Sequence, residues 1–83
     1  MADKIIMILD ILKTNEQHDV EVPLDISADD LVVALTNAYG LNINLDDIGQ
    51  RYVKTENPIR LLKGRKLLKD YDLKNGTRII ITR

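Results

Sequence analysis

An α+β fold, with one helix covering one face of a mixed five-stranded sheet, follows from three observations in this sequence. Five short stretches carry hydrophobic residues at strand spacing, only one carries them at helical spacing, and Pro, Gly and Asn-Gly turns punctuate the joins. Eighty-three residues, 45% of them hydrophobic and 30% charged, make one small domain spanning residues 1–83 and leave no room for a second. A domain of this size buries only about 60% of the surface its unfolded chain exposes, so its stability is expected to be modest.

The first strand is expected over Lys4–Leu12. Ile5, Met7, Leu9 and Ile11 fall on one face at period two, and Ile6, Ile8, Asp10 and Leu12 on the other. The polar run Lys13–Gln17 suits a hairpin loop. His18–Leu24 then alternates, with Val20, Val22 and Leu24 on one side and Asp19 and Glu21 on the other. Pro23 lacks an N–H for a ladder and puts this second strand at a sheet edge. Ser27 precedes ADDLVVALTNAY; its hydroxyl can accept an N–H of the first helical turn, and Asp29 and Asp30 face the positive end of the helix dipole. Leu31, Ala34, Leu35 and Ala38 share one stripe, bordered by Val32 and Tyr39, and Gly40 can end the helix in a left-handed conformation.

After the loop LNINLDDIG, Gln50–Thr55 is expected as the third strand, Glu56-Asn57-Pro58 as a turn and Ile59–Leu62 as the fourth strand. Gly64-Arg65 turns the chain again. Leu68–Leu73 has the length of one tight turn, and Asn75-Gly76 suits positive backbone dihedrals before a last strand, Thr77–Thr82. One helix covers only one side of such a sheet, and a right-handed crossover from the first hairpin makes the first and last strands parallel neighbours at its centre. This is a β-grasp arrangement. Ile5, Met7, Leu9, Ile11, Ile79 and Ile81 then meet Leu31, Leu35 and Ala38 in the core. Ile6, Ile8 and Ile80, with Tyr52 beside them, lie on the open face as a candidate partner-binding patch.

The net charge of -1 conceals a polarity. Up to Ile48 the chain has two basic residues against ten acidic ones; from Gly49 it has ten basic against three acidic. Such halves can neutralise one another across the surface, each exposed pair contributing about 0–1 kcal/mol, or present an acidic and a basic face to a partner or to another copy. The densest basic cluster, Lys63, Arg65, Lys66 and Lys69, is a candidate electrostatic docking site. It lacks interleaved aromatic residues, and the acidic half would repel a nucleic-acid backbone, so no nucleic-acid partner is expected.

Catalysis finds no constellation. The single serine, Ser27, is explained as a helix cap, and the single histidine, His18, sits at a hairpin exit without an orienting group or oxyanion site. The pairs Asp29-Asp30 and Asp46-Asp47 lack the spacing of a calcium loop and read as solvated caps, so neither a metal nor a cofactor is expected. The absence of cysteine excludes disulfides and thiolate metal sites and fits a reducing cytoplasm. The N-terminal apolar run is too short to span a bilayer, is broken by Asp10 and lacks a signal-peptide cleavage site, so a cytoplasmic protein not inserted in a membrane is expected.

The segment LLKGRKLLKDYDLKNGTRIIITR resembles the C-terminal third of ubiquitin. An apolar strand and a glycine turn lead into a Leu-x-Asp-Tyr segment, here Leu68, Asp70 and Tyr71, and the first core residue of the last strand, Ile79, lies eight positions after the tyrosine. The resemblance implies that Tyr71 pins the preceding loop through its hydroxyl. A conjugated modifier of this kind needs a flexible Gly-Gly tail, whereas this sequence closes Ile80-Ile81-Thr82-Arg83, so conjugation is not expected. The connection from Gly64 to Tyr71 is shorter than in ubiquitin and that from the helix to the third strand is longer. With the loop LNINLDDIG and the hairpin YVKTENPIRLL, these changes resemble the bacterial YukD/EsaB family associated with type VII (WXG100-substrate) secretion. That resemblance implies a cytoplasmic, non-conjugated accessory protein that works by binding protein components of the secretion machinery; a non-enzymatic monomer or weak homodimer is expected. The alternatives are a charge-polarised self-assembling module and a ubiquitin-like modifier.

Overall fold

The computed structural model describes residues 3–83. Strands β1 (Lys4–Ile11) and β2 (Glu16–Pro23) form an antiparallel hairpin, and helix α1 (Ala28–Tyr39) follows. Strands β3 (Tyr52–Glu56) and β4 (Arg60–Lys63) form a second hairpin, and β5 (Arg78–Ile81) closes one mixed sheet of order β2-β1-β5-β3-β4. The first and last strands are parallel central neighbours, with Leu9 beside Ile79, as the crossover requires.

The first hairpin is tighter than expected. Leu12 leaves the strand for a 3-10 turn over Leu12–Thr14, Asn15 adopts φ 56°, and its N–H donates to the Leu12 carbonyl at 3.2 Å. Asparagine tolerates this left-handed geometry, so pairing starts at Ile11 and Glu16 and β2 begins two residues before His18. Pro23 stands at the end of an edge strand, opposite Lys4.

Ser27 caps α1 by accepting the Asp30 N–H at 3.1 Å, and Gly40 ends it at φ 63°. The Ala28 and Asp29 N–H groups, which have no partner inside the helix, donate to the carbonyls of Lys66 and Gly64, each at 2.9 Å. The buried stripe is rotated from the one expected. Ala28, Leu31, Val32 and Leu35 face the sheet, while Ala34 and Ala38 are exposed. Both stripes have helical spacing; the observed one buries the larger Val32 and leaves the small side chains of Ala34 and Ala38 in solvent. The core joins these residues to Met7, Leu9, Val22, Val53, Leu62, Leu68, Ile79 and Ile81, each large aliphatic contributing about 1.5–3 kcal/mol when fully buried.

In the long loop after α1, Leu41 and Ile43 are buried as a lid on this core. Ile48–Gln50 forms a 3-10 turn capped by Asp47, whose Oδ1 accepts the Gly49 N–H at 2.9 Å, so β3 starts at Tyr52 rather than Gln50. β4 is displaced by one residue, leaving Ile59 in the turn. A further 3-10 turn over Leu68–Tyr71 returns the chain to β4, where the Tyr71 hydroxyl donates to the Lys63 carbonyl at 3.0 Å, the pinning expected of this tyrosine. Of Asn75-Gly76, only Gly76 has a positive φ, 89°; the Asn75 side chain accepts the Ile6 N–H at 2.8 Å and ties the turn to β1.

Candidate protein-docking face

Strand alternation fixes what the helix leaves uncovered. Across the middle of the open face the register aligns Gln17, Asp10, Ile80, Lys54 and Leu61 from β2 to β4. The neighbouring row aligns Asp19, Ile8, Arg78 and Glu56, and beyond it Glu21 lies opposite Ile6. In the opposite direction Tyr52 lies beside Lys63.

The expected apolar patch is therefore on the open face, but divided. Ile6 is exposed and Ile8 half-buried on β1, whereas Ile80, half-buried on the adjacent β5, and Tyr52, half-buried on β3 beyond it, line one shallow cleft with Lys54 and Arg83. Between the two groups, Arg78 forms an ion pair with the buried Asp10. Burying the Asp10 carboxylate among isoleucines without such a partner would be costly, and the pair places a polar bar across the sheet.

The more accessible apolar surface lies at the β3–β4 end. Leu61 is 44% exposed, and Ile48 and Ile59 are 84% and 80% exposed. Ile48, Leu61 and Tyr52 line a groove of about 760 Å³ with Lys54, Lys63 and Arg65. Arg51 and Asp29 also line it, but they neutralise one another in a pair at 2.6 Å, so its positive charge comes from the other three cations. Asp29 is thus an ion-pair partner as well as a helix-end acid, a role not evident from its position in the sequence.

Two of the four residues in the proposed basic cluster, Lys63 and Arg65, reach this groove. The other two do not. The Lys66 ammonium sits 4.6 Å from the centre of the Tyr71 ring, a cation–π contact, and Lys69 is exposed on the neighbouring 3-10 turn. Arg83 closes the cleft from the side, with its guanidinium 4.4 Å from the Tyr52 ring centre and donating to the carbonyls of Gln50 and Tyr52. Sequence reasoning missed Ile48, Lys54 and Leu61. Leu61 carried a usable signal: adjacent leucines in a strand point to opposite faces, so one of Leu61 and Leu62 had to be outside.

The residues considered for chemistry have structural partners. Ser27 is buried and occupied as a cap. The His18 Nε2 lies 3.1 Å from a Glu16 carboxylate oxygen, and its ring centre is 4.9 Å from that of Tyr39. That imidazole hydrogen bond, followed by one from Thr14, holds the Glu16 carboxyl below its ordinary value. Among the described residues no group of three or more His, Cys, Asp or Glu is placed to hold a metal, and no helix is long and apolar enough to cross a membrane.

A solved structure described as a de novo design based on ubiquitin superposes with a TM-score of 0.63 over 93% of this chain and 84% of its own, at 15% sequence identity. The fold is ubiquitin-like. No protein-family model and no curated protein sequence matches the chain. In this ubiquitin-like frame the helix occupies one side of the sheet and the open side carries the groove.

Proposed function

We propose that this chain is a non-enzymatic ubiquitin-like adaptor that binds protein partners through the β3–β4 end of its open sheet face. The observation that carries this reading is the groove in which Ile48, Leu61 and Tyr52 are surrounded by Lys54, Lys63 and Arg65. Exposed apolar side chains gathered in a concavity favour desolvation by a partner, and a polar rim of one sign orients it. The finer reading, a cytoplasmic accessory component of a bacterial type VII secretion system, rests on the resemblance of the loop LNINLDDIG and the hairpin YVKTENPIRLL to the YukD/EsaB family.

Affinity capture from the native host tests both levels. The wild-type chain is expected to recover a component of the secretion apparatus. Leu61→Asp with Ile80→Asp should lose it, and Ile6→Asp with Ile8→Asp should weaken it less. Equal capture by all three proteins overturns the assigned surface; capture through the groove of a protein foreign to secretion overturns the finer reading alone.

A further inference from the structure

We propose that the open face also binds a second copy of this chain, head to tail, with the acidic β2 side of one copy seated in the basic β3–β4 groove of the next. The charge polarity of the sequence is only partly resolved within the molecule. Asp10 pairs with Arg78 and Asp29 with Arg51, each joining the acidic half to the basic half. Asp19 at one edge and Lys54, Lys63 and Arg65 at the other are exposed and have no ion-pair partner among the described residues. Glu21 has only Lys4, in an exposed contact at 3.2 Å that a competing cation can displace at little cost.

Strand order keeps these groups apart. β3 and β4 lie three and four strand spacings from β2, about 14 and 19 Å at about 4.8 Å per strand. Both exceed the screening length of about 8 Å at physiological ionic strength, so the two edges gain little from one another within a single copy. Between copies the complement is close. The β2 side offers Ile6, 43% exposed, with Glu21 directly opposite it and Asp19 one row on; the groove offers Leu61 and Ile48 among three cations.

Charge also narrows the symmetry. A two-fold contact between β2 edges would set Asp19 and Glu21 against themselves, and one between grooves would do the same to Lys54, Lys63 and Arg65. Unlike charges meet either in a reciprocal two-fold packing of two open faces, which closes as a dimer, or in the heterologous contact proposed, which leaves an acidic side and a groove free at its ends and so propagates.

Sedimentation velocity of the purified protein over a concentration series tests this without reference to any other partner. Mass that grows with concentration at low salt, and an association constant at least about tenfold weaker near 1 M salt, where the screening length falls to about 3 Å, are expected. Lys54→Glu with Lys63→Glu, and Asp19→Lys with Glu21→Lys, should each abolish association, and an equimolar mixture of the two variants should restore it. All four positions are exposed, and far-UV circular dichroism checks that both variants remain folded. A wild type that stays monomeric at low salt, one that stops at a dimer, variants that still associate, or a mixture that fails to recover would each overturn the proposal.

Discussion

The two ends of the open sheet face solve the same problem differently. β2 is an edge strand eight residues long, and the Leu24 N–H bond to the Asp3 carbonyl sets an alternation that turns the backbone groups of Gln17, Asp19 and Glu21 outward. That edge is guarded by acidic side chains and by Pro23. β4 is only four residues long and is flanked by the Leu68–Tyr71 turn, whose tyrosine hydroxyl occupies the Lys63 carbonyl. One edge is protected by charge and the other by its shortness and this tyrosine contact, which leave little free strand beside the exposed Leu61 and Ile48. Apolar surface beside a capped edge suits side-chain docking better than strand addition.

Substitutions at the β3–β4 end separate its core from its surface most sharply. Leu62→Ala, at a fully buried position, should cost about 2–5 kcal/mol in urea unfolding, whereas Leu61→Ala next to it should change stability by less than about 0.5 kcal/mol. Similar losses for the two would mean that the strand register is wrong by one residue. The bar dividing the two ends comes next: Asp10→Ala leaves Arg78 without its carboxylate and should cost about 1–3 kcal/mol, with Asp10→Asn losing less. Tyr71→Phe should cost about 1 kcal/mol and raise amide exchange around Lys63, because the carbonyl that anchors the turn to β4 loses its donor.

The smallest effect belongs to the acidic end. His18→Ala should let the Glu16 carboxyl rise toward its ordinary value, followed by NMR titration. Because the folded-state value is depressed, the stability this carboxylate adds is present above the ordinary carboxylate range and is lost as pH falls through the lowered value. An unchanged Glu16 titration in the variant would remove the imidazole as the cause.

Much of this architecture was legible because it rests on local chemistry. Ser27, Gly40, Pro23 and the alternation around Met7 and Leu9 each have one good structural explanation, and each lies where that explanation puts it. The site was legible in its face but not in its centre. Parity alone puts Ile6, Ile8 and Ile80 on the open side, but their separation depends on the register between β1 and β5, which sets Asp10 and Arg78 within reach of each other. The groove depends on a loop turn that projects Ile48 and on the meeting of β3 with β4, both tertiary outcomes. The helix stripe departs from the sequence pattern because alanines carry hydrophobic periodicity with little area to bury.

A photo-crosslinking amino acid at position 61, compared with one at the exposed helix position 37, tests the docking groove most directly. A discrete adduct in cells from position 61, absent from position 37 and lost when Lys54→Glu and Lys63→Glu are added, is the predicted result. Adducts from position 37 with none from position 61 would place the binding surface on the helix side and contradict it.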